Sequence, residues 1–322
     1  MTERQVIGIN TTIVHGTSIK FSREYHYSVG NLMIVSFSKV CYAAIHHLKI
    51  VTTGFRMLSM GISRITKLIF ITCIFIVFPP EIKAQKSLLD TILARGEIRI
   101  GTTGDYKPFT YLNPKTGTYE GMDIDAAHML GEALGVKVRF VPTTWSNLSE
   151  DTKNNRYDLA MGGITRTLQR QKNLGLTNPY VTVGKAPLIR KADKTRFRNL
   201  DDIDQPGVVI GVNPGGTNQQ FVRSNIRNAT IKLIENNLKI QPAVAAGEVD
   251  VMFTDNIEAV IYARQNSALH AVNPGNPLTR EDLGYMTKRD DQPFMNWLNL
   301  WIDQMKLKGE LDQLKTKWIG IF

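Results

Sequence analysis

The chain has 322 residues, 43% of them hydrophobic, and a formal net charge of +10. That length supplies a core for one large domain or for two lobes, and such a charge would ordinarily point to nucleic acid or a membrane surface. Its distribution places most of the excess in the N-terminal quarter: residues 1–84 hold nine Lys/Arg against three acids, and residues 85–322 hold 30 against 26, an ordinary balance.

Residues 1–56 show no clear helical or strand period, so they are expected to stand outside the working protein as a misassigned or unstructured leader. Residues 57–84 begin at two possible start positions, Met57 and Met60. They carry Arg64 and Lys67, an apolar run from Leu68 to Phe78, the pair Pro79-Pro80, and Ala84 as a small cleavage residue. This is the three-part pattern of a secretory signal, with an apolar run too short to span a bilayer comfortably. The expectation is export with cleavage near Ala84 and no stable membrane association afterwards; the alternative is an uncleaved signal anchor. Both cysteines, Cys41 and Cys73, precede Ala84, so the mature chain offers no disulfide, thiolate nucleophile or Cys-based metal site.

From Glu97 the pattern alternates between β-rich runs and helical periods. Strands are expected at 97–103, 136–142 and 157–163, with a helix over 123–135 closed by Gly135. The second half repeats the theme with strands at 207–212, 230–234 and 250–254 and helices from Thr217, over 238–246 and from Asp255. Such alternation predicts α/β architecture with mostly parallel sheets and crossover helices. The polar segment 190–207 reads as a solvated connection between two α/β units, since its acids balance its bases and it has few aromatics. Two such units imply a cleft, and ligands favour clefts and the carboxyl ends of parallel strands.

Several polar motifs fall at those ends. "TTGDYKPF" offers Tyr106, "TTWSNL" puts Trp145 at a helix start, and "GGITRTLQRQK" carries Thr165 and Arg170. "NPGGTNQQF" is a Gly-rich turn into a helix whose unbonded N–H groups suit a carboxylate or phosphate. Each also has a plain structural reading. The aromatics serve as core or rim, Arg170 as a surface residue, and the glycines as a turn with positive φ. "TDNIEA" holds Asp255 and Glu258 three residues apart, which is also the signature of a capping box.

At these residues the sequence resembles the periplasmic solute-binding proteins of polar amino acid importers, over essentially all of residues 88–320. The motifs "GDYKPFTYLNPKTGTYEGMDIDAAHMLGEALG", "ITRTLQRQK" and "GELDQLKTKWIG" carry that resemblance. Within the superfamily, "TTGDYKPF", "PGVVIGVNPGGTN" and "TDNIEA" are most similar to the cyclohexadienyl dehydratases, exported lyases that convert prephenate to phenylpyruvate and arogenate to phenylalanine. The resemblance implies a two-lobed periplasmic-binding-protein-like α/β fold of type II, one lobe from 85–184 plus the return segment 275–322 and the other from 185–274. It implies that Arg170, Thr165, Gly216, Thr217 and Asn218 hold a carboxylate. Tyr106 and Trp145 would line the cleft, and Asp255 would meet an α-ammonium. Glu258, where transport relatives usually have an apolar residue, would be the general acid, and Lys185 the second catalytic residue. Lys185 would also press the Glu258 pKa down, against burial and Asp255. No metal or organic cofactor is implied and no nucleic-acid partner; the ligand is a small molecule, and a homo-oligomer is left open. The competing expectation is a binding protein that delivers an amino acid to an importer. A receptor's sensor domain is a third.

Overall fold

The computed structural model describes residues 86–320, which lie within one compact unit spanning Ala84–Phe322. The expected leader, the signal segment, its cleavage point and both cysteines lie outside the described residues.

The first sheet is built around β1 (Glu97–Thr102), whose core-facing Ile98 and Ile100 are fully buried. It pairs in parallel with β5 (Lys137–Pro142) on one side and β6 (Leu159–Thr165) on the other. Helix α1 (Leu88–Arg95) enters this sheet, and α2 (Met122–Leu134) crosses from β1 to β5. Helix α2 buries Met122, Ala126, Ala127 and Leu130 and ends where Gly135 takes the left-handed conformation at φ 68°. That is the stop expected from the sequence. β7 (Leu174–Leu176) and β8 (Val181–Val183) complete the outgoing chain in this lobe. The later strand β14 (Glu281–Lys288) returns antiparallel to β6, β7 and β8, giving the order β5-β1-β6-β14-β7 with β8 beside β14. A small antiparallel sheet, β2 (Asp105–Tyr106), β3 (Thr110–Leu112) and β4 (Tyr119–Glu120), sits over this lobe and was not legible as strands in the sequence.

The second sheet has the order β11-β10-β12-β9-β13. β10 (Val209–Val212) runs parallel to β11 (Thr230–Leu233) and β12 (Val251–Asp255), while β9 (Lys185–Arg190) and β13 (Leu269–Ala271) add antiparallel pairs. Both sheets are therefore mixed, a parallel centre extended by antiparallel strands. Their cores are separate: Ile98, Leu130, Tyr285 and Phe294 belong to one, while Ile189, Ile210, Val251 and Phe253 belong to another.

The polar segment 190–207 is not the divider between the units. It lies inside the second lobe, with Phe197 and Ile203 fully buried and Arg190 paired to Asp250 at 2.7 Å. Polarity there marks a solvated edge. The chain crosses between sheets at Val183-Gly184-Lys185, between the ends of β8 and β9, and again before β14. The two crossings are tied together: Leu278 N donates to Lys185 O at 2.8 Å, and Lys185 N donates to Thr279 Oγ1 at 2.9 Å.

Candidate functional site

The site forms where strand ends from both sheets meet. β10 and β12 are parallel neighbours, so Asn213 and Asp255 emerge at the same edge. From the first lobe β6 delivers Gly163 and Thr165, β2 delivers Tyr106, and the loop after β5 delivers Trp145. Trp145 lies ahead of α3 (Leu148–Lys153) and not at its start.

The strand end at Gly163 is pinned from below. Asp123, fully buried, accepts from Gly163 N at 2.6 Å and from the hydroxyls of Tyr180 at 2.5 Å and Tyr285 at 3.3 Å. Burial raises its pKa to about 6, against the lowering effect of those donors. Gly163 has φ 70°, and a Cβ there would stand 2.2 Å from the Tyr106 ring. Glycine at this position is what lets the Tyr106 ring approach the strand end so closely.

The cleft is closed. Gly215, at φ 86°, brings the turn before α6 (Thr217–Asn225) against the backbone of Ser146, where a Cβ would meet the Ser146 Cα at 2.4 Å. Across the cleft Thr165 Oγ1 and Thr217 Oγ1 are 3.2 Å apart, Asn237 Nδ2 donates to Asp105 O at 2.8 Å, and the Tyr106 hydroxyl donates to Asp255 Oδ2. Between these contacts lies a small cavity, lined by Tyr106, Trp145, Gly163, Thr165, Asn213, Gly216, Thr217, Asn218, Asn237 and Asp255. Seven of these were singled out from the sequence. Gly163, Asn213 and Asn237 were not.

The three remaining sequence candidates stand behind that lining. Arg170, in the last turn of α4 (Leu168–Gln171), donates from Nη1 to Thr165 O at 2.6 Å. Burial lowers its pKa to about 10, with Glu281 opposing the shift, so it remains a cation at neutral pH. Lys185 is fully buried, its ammonium 2.6 Å from Asp255 Oδ1, 3.0 Å from Thr217 Oγ1 and 3.4 Å from Glu281 Oε2. Asp255, expected to receive a ligand's ammonium, thus already holds the chain's own.

Glu258 lies in the first turn of α8 (Asn256–Gln265), with Asp255 at the N-cap position, but no capping box forms. The Asp255 side chain makes no cap hydrogen bond. Glu258 turns inward, is fully buried, and accepts from the Thr254 hydroxyl through Oε2, while Oε1 has no hydrogen-bond partner. Tyr262, one turn further along, is close enough to couple to this carboxyl without a hydrogen bond of normal geometry. Burial pushes the Glu258 pKa up to about 8. Thr254 opposes the rise, Asp255 adds to it, and Tyr262 and Asp105 act more weakly in opposite directions. The lowering by Lys185 expected from the sequence is not among the largest effects on Glu258, and the Lys185 ammonium faces Asp255 and Glu281. A carboxyl group that keeps its proton at neutral pH can donate it.

Residues 98–321 match the family described as bacterial extracellular solute-binding proteins, family 3. The chain is 39% identical over 249 residues to the cyclohexadienyl dehydratase of Pseudomonas aeruginosa, covering 77% of this chain and 92% of that protein. It is 26% identical over 240 residues to the ABC transporter glutamine-binding protein of Bacillus subtilis, covering 74% and 86%. Among solved structures, it resembles an ancestral amino acid-binding protein described as a precursor of cyclohexadienyl dehydratase, with TM-score 0.69 and 37% identity, covering 72% of this chain and all of that one. It also resembles a lysine-complexed binding component of an ABC transporter from Wolinella succinogenes, with TM-score 0.66 and 29% identity, covering 70% and 96%.

Proposed function

We propose that this chain, which belongs to family 3 of the bacterial extracellular solute-binding proteins, is an exported dehydratase acting on cyclohexadienyl acids, prephenate and arogenate. The observation that carries the reading is Glu258: a buried carboxyl, not used as a cap, with one unpartnered oxygen and a pKa of about 8, one turn from the cavity wall at Asp255.

The chemistry follows from the substrate class. Cleavage of the bond to the ring carboxylate releases CO2, and its electron pair completes the aromatic ring as the C–O bond to the 4-hydroxyl breaks. Hydroxide is a poor leaving group. The Glu258 proton, delivered to that oxygen, makes the departing molecule water. Glu258 is left as a buried carboxylate, a state its surroundings disfavour, so it recovers a proton before the next cycle. The reading requires bound substrate to reach past Asp255 to this carboxyl. Arg170 and the α6 N-terminus at Gly216, Thr217 and Asn218 would take the side-chain carboxylate. Lys185, held by Asp255, would face the second carboxylate.

The test is the pH dependence of phenylpyruvate formation from prephenate, corrected for the spontaneous reaction in acid. Activity should be near its plateau at pH 7 and fall as pH rises through about 8, where Glu258 loses its proton. A rate that rises through that range would assign the chemistry to a base. The second reading is delivery of an amino acid to an importer. It expects tight amino acid binding without phenylpyruvate, and Lys185, which occupies the place at Asp255 that a ligand's ammonium would take, counts against it.

A further inference from the structure

Asn237 was not distinguished in the sequence, where an asparagine before a helix reads as a cap. In the structure the capping is done by Asn236, whose side chain accepts from Leu238 N, which leaves the Asn237 amide for other work. Asn237 is 2% exposed and lines the cavity with Tyr106, Trp145 and Asp255.

Its amide orientation is fixed by its partner. The atom 2.8 Å from the Asp105 carbonyl oxygen must be the nitrogen, because two acceptors would repel. Oδ1 is then turned away from that bond, and it is buried without any hydrogen-bond partner. An acceptor sealed from water without a donor costs about 1–3 kcal/mol. In a cavity wall, that cost is relieved when a ligand brings the donor. The residue also bridges the lobes, since Asp105 belongs to the first and Asn237 to the second, so the bond that orients its acceptor spans the cleft.

We propose that Asn237 is a positioning and specificity residue whose Oδ1 accepts a hydrogen bond from the ring hydroxyl of the substrate in the closed cleft. The inference rests on the dehydratase reading and deepens it. The site thereby selects cyclohexadienyl acids that keep the hydroxyl over aromatic acids that have lost it, which favours release of product.

The test compares two ligands in two proteins. In a Glu258→Gln background, where prephenate persists, calorimetry measures binding of prephenate and of phenylpyruvate with Asn237 intact and with Asn237→Ala. The expected result is a loss of about tenfold or more in prephenate affinity, with phenylpyruvate changed by less than about threefold. Equal losses for both ligands would reduce Asn237 to a latch between the lobes and overturn the inference, as would no loss for either. The ratio of affinities does not depend on how much of the variant is folded; Asn237→Ser serves if the alanine variant does not fold. Wild-type protein that forms no phenylpyruvate would sink the dehydratase reading itself, and absence of prephenate binding to the parent would end both.

Discussion

Replacing Glu258 by Gln should leave the protein folded and lower phenylpyruvate formation from prephenate by roughly 10²–10⁴-fold, the usual range for a lost general acid. Gln keeps the shape of the side chain and its acceptor toward Thr254 but carries no transferable proton. A capping role would show the opposite pattern, but the Asp255 side chain caps nothing, so no reciprocal bond is at stake. The variant should also differ in how stability depends on pH. The folded chain holds the Glu258 proton up to about pH 8, whereas an unfolded glutamate releases it near 4.5, so the stabilising effect of this group is complete below 4.5 and is lost as pH rises through about 8. Asp123 adds a similar fall between the ordinary aspartate value of 3.8 and about 6. Thermal midpoints from pH 5 to pH 8.5 should therefore decline less in Glu258→Gln than in the parent. An unchanged slope would mean that Glu258 is not the buried acid described here.

The second large effect concerns Lys185. Removing its ammonium by Lys185→Gln leaves Asp255, 5% exposed at its side chain, with the Tyr106 hydroxyl but no cation. Breaking one side of a buried ion pair typically costs about 3–5 kcal/mol, because the remaining charge is stranded. Stability should fall by that order, and the double variant Lys185→Gln/Asp255→Asn should regain much of it, since a neutral pair can hydrogen-bond without desolvated charge. Chemical denaturation of the parent, both single variants and the double variant measures the coupling. A double variant no more stable than Lys185→Gln would show that the pair is not the local electrostatic unit its 2.6 Å separation describes.

The architecture was legible because its signals are local. Burial on both faces marks β6 and β12 as continuous apolar runs, and Gly135 stops its helix at the residue the sequence indicates. The lobe boundary was not legible from composition. The crossing at Val183-Gly184-Lys185 is apolar on its first side and buried on its second, whereas the polar stretch at 190–207 only follows a surface.

The site was half legible for a similar reason. Residues that line the cavity sit in short motifs at strand ends, where an α/β chain gathers polar groups. Their pairing is non-local: Lys185 and Asp255 are 70 positions apart, and Tyr106 and Asp255 are 149 apart. No spacing rule announces such contacts. Asp255-x-x-Glu258 is ambiguous in principle, because a capping box and a buried acid share one pattern. What separates them is the direction of the Glu258 side chain, set by Thr254 at the end of a fully buried strand. Asn237 left no distinguishing mark, since an asparagine before a helix is ordinary.

Turnover number decides between an enzyme and a carrier. The exported chain should be mixed at neutral pH with a hundredfold excess of prephenate, and phenylpyruvate counted per protein molecule above the spontaneous background. The account predicts many product molecules per protein, with the excess consumed. Phenylpyruvate at background level, alongside stoichiometric binding of an amino acid, would contradict it.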